Sequence, residues 1–414
     1  MKLKTPQIGL LVGLFLFLTG SSYFLFSKVL PTSAFTLSPR ASKNDKEDLV
    51  EQSETPLKTG YLQFEGPKTE VCPINGALFT KEEESIWSTR RPLMVMIENH
   101  ADSRPQSGLQ YADIVYETVA EGGITRFMGV FYCNAVKSTG QKYDLGPVRS
   151  ARTYFLDLAS EYSDYPLYAH VGGANCSSAD GGLTCTTNVK AQAIEQISRY
   201  GWNNKGTWGD LSQFSLPYKV CRREPDRLGD SRATEHTMYC SSTELWNVAE
   251  DRGLTNMTEI KKTSWDKNFT SWKFETEDKA ASSVQSSEIS FSFWGDKAYD
   301  VSWKFDPEQN LYLRYNGGVA HVDFNTKETI SAKNIVIQFA DESRSIDEHK
   351  HNLYELIGKG DALLFQNGTA QKITWSKASR TARTIFKDAS GKEVSFVPGS
   401  TWIEILPIGN QVDY

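Results

Sequence analysis

Ile114-Val115-Tyr116-Glu117-Thr118-Val119-Ala120-Glu121-Gly122-Gly123-Ile124-Thr125-Arg126-Phe127-Met128-Gly129-Val130-Phe131-Tyr132 sets ionisable residues into runs that otherwise read as sheet. Strands are expected at 114–119 and 126–133, short and apolar enough to lie in a sheet covered on at least one face. Glu117 and Glu121 sit in or just after the first run, and Arg126 opens the second. A lone charge in such a place is costly to desolvate, so opposite charges come together or some of them face a ligand.

Downstream, Arg149 and Arg152 follow Gly146-Pro147 and open an expected helix over 150–162. Three residues apart and roughly on one face, they would stand beside the unpaired N–H groups of a helix start, a favourable setting for phosphate or carboxylate. The competing account pairs these arginines with Glu117 and Glu121 as internal struts, and both can hold at once. His170 ends a strand expected at 166–171 and leads into Gly172-Gly173, where the backbone can approach a ligand closely. A satisfied buried imidazole is the ordinary alternative for His170 and for His236.

Working outward, a strand at 93–97 and a helix at 189–197 complete an alternating region. A third helix is marked by the capping-box spacing Ser241-Ser242-Thr243-Glu244 and stopped at Gly253. This region, 63–253, is expected to be one domain. Residues 254–288 are polar, yet Trp265, Phe269 and Trp272 make the linker a segment that packs on something.

From 289 to 414 the pattern turns to strands. Val301, Trp303 and Phe305 alternate with polar residues; Leu311, Leu313 and Tyr315 lead into Asn316-Gly317; a second hairpin turns at Asn367-Gly368. The expected fold class is α+β, with a β-rich, mainly antiparallel C-terminal domain. Strand periodicity makes core packing the ordinary explanation for Trp294, Trp303, Trp375 and Trp402, against stacking on glycan rings.

The first residues speak of location. Lys2 and Lys4 precede an apolar run at 8–26, long enough to cross a membrane once with the N-terminus cytoplasmic. Residues 1–30 are read as cytoplasmic tip and transmembrane anchor, and 31–62 as a disordered extracytoplasmic tether. The alternative is a cleaved secretory signal with a weak site at Ser33-Ala34. The formal charge of -6 argues against general nucleic-acid affinity. Cys72, Cys133, Cys176, Cys185, Cys221 and Cys240 form an even set suited to disulfides in an oxidising compartment. Cys176 with Cys185, Cys221 with Cys240 and Cys72 with Cys133 is one of about fifteen connectivities.

The chain resembles the YerB-like family of bacterial envelope proteins, described as a domain of unknown function in two parts. The resemblance runs through Arg104-Pro105-Gln106-Ser107-Gly108-Leu109, Ala112-Asp113-Ile114-Val115-Tyr116-Glu117, Glu121-Gly122-Gly123-Ile124-Thr125-Arg126-Phe127, Gly146-Pro147-Val148-Arg149-Ser150-Ala151-Arg152 and His170-Val171-Gly172-Gly173. It continues through Asn334-Ile335-Val336-Ile337-Gln338 and Gly399-Ser400-Thr401-Trp402-Ile403-Glu404, covering nearly the whole ectodomain. It implies a mixed α/β layered sandwich for the first domain and a β-rich second one. Two departures stand out. Lipid attachment in that family needs a Cys after a Leu-x-Gly type sequence, whereas Leu18-Thr19-Gly20 is followed by Ser21. The family's Pro-His-Asn-Leu-Tyr type run is here Glu235-His236-Thr237-Met238-Tyr239, which keeps His236 and loses the Asn.

Two functional expectations follow. The preferred one is an envelope protein that binds an anionic wall component or an envelope protein partner through Arg104, Arg126, Arg149, Arg152, Gly172 and Gly173. The alternative is a glycan or phosphodiester hydrolase with acid and base roles among Glu117, Glu121, His170 and His236. No cofactor and no metal site is expected, and His349-Lys350-His351 is read as solvated surface.

Overall fold

The computed structural model describes residues 64–140, 142–176, 185–276 and 286–414. The expected anchor and tether lie outside these. Among the described residues no helix is long and apolar enough to cross a membrane.

The protein is a mixed α/β structure, rich in sheet and poor in helix. Strands β1 (Leu93–Glu98), β2 (Ile114–Glu121), β3 (Ile124–Phe131), β4 (Leu167–His170) and β5 (Asp210–Ser212) come from the first half. Next along the chain are β6 (Glu288–Phe291), β7 (Val301–Asp306), β8 (Leu311–Asn316), β9 (Val319–Ala320) and β10 (Ser331–Ala332). Then follow β11 (Asn334–Ala340), β12 (Gly358–Gln366), β13 (Thr369–Lys377), β14 (Ile385–Lys387), β15 (Thr401–Pro407) and β16 (Val412–Asp413). Ten of these make one sheet in the order β14-β13-β12-β11-β15-β2-β3-β1-β4-β5, and β9-β8-β7-β6-β16, with β10 beside β8, make a smaller antiparallel one.

Residues 63–253 and 289–414, read as two successive domains, thus contribute strands to a single sheet. The join is β15, which runs parallel to β2 on one side and to β11 on the other. Every residue of β15 is buried, as are seven of the eight in β2, and their near-continuous apolar runs suit strands covered on both faces. Burying one such Val, Ile, Leu or Phe side chain contributes about 1.5–3 kcal/mol. The segment around 254–276 packs on this core, with Trp265 and Trp272 buried.

Of the two expected hairpin turns, the one at Asn367-Gly368 forms in place, and the one expected at Asn316-Gly317 forms one residue later, at Gly317-Gly318. Asn316 pairs with Val319 across Gly317 and Gly318, and Gln366 with Thr369 across Asn367 and Gly368, all four turn residues at positive φ as the turn requires. The three disulfides are Cys72–Cys133, Cys176–Cys185 and Cys221–Cys240. Ser241 caps the helix Ser242–Asp251 by accepting from the Glu244 N–H.

Two expected helices are shorter or shifted. The helix expected over 150–162 is confined to Thr153–Ala159, and the one expected over 189–197 is Ala193–Arg199. Arg149 and Ala151 are extended because neighbouring strands claim their backbone: Arg149 N–H donates to Met96 O, Val171 N–H to Arg149 O and Ala151 N–H to Gly172 O. The parallel strands β1 and β4 pair only as far as Val95 and Ala169, and this segment fills the fork beyond. In β8 the buried face carries Tyr312, Arg314 and Asn316, the opposite parity to Leu311, Leu313 and Tyr315. Register decides it, since Trp303 of β7 stands opposite Arg314.

Candidate site on two faces of one hairpin

Strands β2 and β3 form a hairpin turned by Gly122 and Gly123, and cross-strand register sorts its charges. Ile97, Phe127 and Glu117 occupy one row across β1, β3 and β2; Glu98, Arg126 and Thr118 occupy the next. Successive residues point to opposite faces, so Glu117 and Arg126 face away from each other. Strict alternation would return Glu121 to the Glu117 face. A bulge prevents this: Val119 pairs with Thr125 but Glu121 with Ile124, so the extra residue Ala120 moves Glu121 to the Arg126 face.

On that face Glu121 takes two arginines, Arg126 at 3.4 Å and Arg152 through a close Nε contact. Burial would raise the Glu121 carboxyl, but Arg152 and Arg126 outweigh it and hold it at about 2. Arg126 also donates to Ser150 O, and Arg152 to Ala151 O. Along the same face Glu98, buried, accepts from Arg149 Nε at 3.0 Å and pairs with His236 Nδ1 at 2.8 Å. His236 stacks on His100, ring centres 4.5 Å apart. Glu98, His100 and Asp102 were not among the expected site residues; a carboxylate closing the β1 run is the signal that would have found Glu98.

The opposite face is closed. Glu117 accepts from Thr125 Oγ1 at 2.6 Å and from Asn99 Nδ2 at 3.3 Å, and forms an ion pair with Arg314. All of these side chains are buried. The Arg314 guanidinium lies 4.9 Å from the ring of Trp402, 5.4 Å from that of Phe127 and 5.7 Å from that of Trp303, so aromatic faces replace water around the cation. Arg314 Nη1 lies 2.7 Å from His321 Nδ1, and His321 Nε2 2.8 Å from Gln106 Oε1. An arginine only donates, so Nδ1 accepts and Nε2 carries the proton. Burial, then Arg314 and Arg104, push His321 well below the usual imidazole range, so it stays neutral. Glu404, adjacent to Glu117 in register, accepts from Trp303 Nε1 at 3.0 Å. Burial first, then Glu117, raise its carboxyl well above the ordinary range.

Arg104, expected at a ligand, is fully engaged between the two halves. Its Nε donates to Asn99 Oδ1, Nη2 to Asn99 O and Nη1 to Ala298 O. His170 is buried with Nδ1 2.6 Å from Gly172 O and Nε2 2.7 Å from Asp210 Oδ1. Gly173 serves packing, since a Cβ there would come within 2.9 Å of Ile194, and Gly172 serves the backbone, which turns there at a positive φ. The structure therefore brings Glu121, Arg126 and Arg152 together and joins Arg149 to His236 through Glu98, while Glu117, Arg104 and His170 lie elsewhere. Among the described residues, hollows such as the one of about 780 Å³ beside Ile357 and Lys359 are lined by none of the expected site residues.

Residues 78–255 match the protein of unknown function (DUF3048) N-terminal domain, and residues 289–403 match the corresponding C-terminal domain. The chain belongs to the DUF3048 family. It is similar to "Putative lipoprotein YerB" of Bacillus subtilis (strain 168), 28% identical over 337 residues, which span 81% of this chain and 86% of that protein. It also resembles the crystal structure of the YerB protein from Bacillus subtilis, with a TM-score of 0.62 and 25% identity over 84% of this chain and 100% of the other. Membership carries a fold and no activity. Lipoprotein attachment is a description of the relative, and Ser21 stands here where a lipid-bearing Cys would be needed.

Proposed function

We propose that this DUF3048 member is a single-pass envelope protein whose ectodomain binds an anionic wall polymer at the rim marked by Arg149. The run at 8–26, behind Lys2 and Lys4, holds it in the membrane with the N-terminus cytoplasmic. The layered-sandwich and β-rich parts inherited from the family form the extracytoplasmic body.

The observation that supports binding at Arg149 is its exposure. Its side chain is 28% exposed, against 6% for Arg126 and 10% for Arg152, both of which Glu121 engages. A guanidinium steadied by a buried carboxylate on one edge and open on another suits recognition of a phosphate or carboxylate. Hydrolysis is less well supported. It needs a carboxyl able to hold a proton near neutral pH, with a second one across a substrate. Glu121 at about 2 is a poor acid, and Glu117 lies on the other face of the sheet.

The test is thermal stability of the full chain in detergent with linear polyphosphate, with a glycerol-phosphate polymer and with muropeptides. Polymer at about 100 times its Kd is expected to stabilise the parent by about 2.7 kcal/mol. Arg149→Ala is expected to lose most of that gain; an unchanged gain removes Arg149 from recognition. A response to neither polymer nor muropeptide, with capture of another envelope protein, favours the protein-partner alternative.

A further inference from the structure

We propose that His100, Asp102 and His236 form a binding site for a first-row transition dication, with Glu98 and Arg149 as the layer that orients it. One donor atom from each of the three lies within 4.8 Å of the other two. Metal–donor bonds to imidazole nitrogen and carboxylate oxygen are about 2.0–2.2 Å, so donors around one ion sit up to about 4 Å apart. Shifts on the order of an ångström close the set.

The geometry around the donors is that of a supported ligand set. Glu98 engages His236 Nδ1 at 2.8 Å, which leaves Nε2 as the donor of that ring and sets its orientation. A carboxylate holding one nitrogen while a metal takes the other is the usual outer-shell arrangement of a metal-binding histidine. Glu98 is itself fixed by Arg149. His100 and Asp102 stand two residues apart, His100 Nδ1 3.7 Å from Asp102 Oδ2, so this pair can chelate from one short turn. His100 Nδ1 accepts the Asp102 N–H at 3.2 Å, which leaves its lone pair available to exchange that bond for an ion.

Access is open on one side. The side chains of Asp102 and His100 are 59% and 31% exposed, whereas His236 and Glu98 are buried. The stacked rings do not share a plane, so His100, the more exposed, turns out of the stack as the ion enters. Arg232, 4.0 Å from Asp102, is drawn off by Asp230 at 2.9 Å. Two imidazoles and one carboxylate favour Zn²⁺ or its neighbours over Mg²⁺ or Ca²⁺. Three protein donors leave a position open to solvent, as in sites that bind a further ligand.

Calorimetric titration of the full, tag-free chain in detergent with Zn²⁺ tests this. One ion per chain is expected. His100→Ala and Asp102→Ala, both at exposed positions, are expected to weaken binding at least 10-fold, and Glu98→Gln by about 10–100-fold. The double variant His349→Ala/His351→Ala, which alters the other histidine pair, should bind like the parent. No stoichiometric binding by the parent, parent-like binding by both His100→Ala and Asp102→Ala, or loss in the His349/His351 variant each overturns the assignment. Thermal melts of every variant separate lost ligands from lost fold. The polymer response at Arg149 is a separate readout, so either proposal can fail alone.

Discussion

The two faces of the β2–β3 hairpin carry the same residue types and solve the desolvation problem differently. On one, Glu117 and Arg314 are sealed between sheets, walled by Trp303, Trp402 and Phe127, with Glu404 and His321 adjusted around them. On the other, Glu121 and Glu98 gather Arg126, Arg152, Arg149 and His236 with part of the array in contact with water. The closed face ties the two halves of the chain together, since Arg314 and Glu404 come from the second and Glu117 from the first. Charges with no solvent access act on stability; those at a rim keep the freedom to meet a ligand.

That contrast can be broken first at Arg314. Arg314→Met leaves Glu117 buried without its cation and is expected to cost about 3–5 kcal/mol in urea denaturation, with Glu117→Gln added to it recovering part of the loss. A loss under about 1 kcal/mol would place water in the closed face, contrary to the contrast.

Glu121 gives the next largest effect, and a pH signature. Its folded carboxyl, lowered from an ordinary 4.5 to about 2, contributes stability that is fully present above about 4.5 and is lost as pH falls through about 2. The full shift corresponds to about 3 kcal/mol, reduced to about 2 by partial exposure of the side chain. The difference between parent and Glu121→Gln in denaturant melts should therefore shrink steadily from pH 5 to pH 2. A constant difference would mean that Arg126 and Arg152 do not act on this carboxyl.

The smallest expected effect sharpens the closed face. Glu404 has a raised folded value, so its ionisation costs stability above the unfolded carboxyl range and nothing below it. Glu404→Gln keeps a polar partner for Trp303 Nε1 and removes that cost. A gain of about 1 kcal/mol at pH 8 that vanishes at pH 4 is expected. Destabilisation at pH 8 would show that a charged Glu404 is an asset to the network.

Much of the hairpin was legible. Apolar runs marked β2 and β3, the glycine pairs marked turns, and the misplaced charges marked where ion pairs had to form. Glu121 and the two arginines were found by that logic alone. That Glu117 and Glu121 lie on opposite faces was not readable, because a bulge of one residue reverses facing and leaves no compositional trace. Arg314 was hidden by parity: Leu311, Leu313 and Tyr315 offered an apolar alternation, and only the register with Trp303 shows that the other set is inside. The fork that holds Arg149 extended was equally invisible, since helix signals are local and the competing backbone partners are distant.

The disulfide-rich first half, the hairpin signals and the β-rich second half followed from residue chemistry and short-range pattern, which act over a few positions and survive in any context. The union of both halves through β15, the division of charges between a sealed and an open face, and the meeting of His100, Asp102 and His236 required the assembled chain. Strand neighbours and register are set by contacts between residues hundreds of positions apart, and whether a charge is buried or wet depends on what those contacts leave beside it.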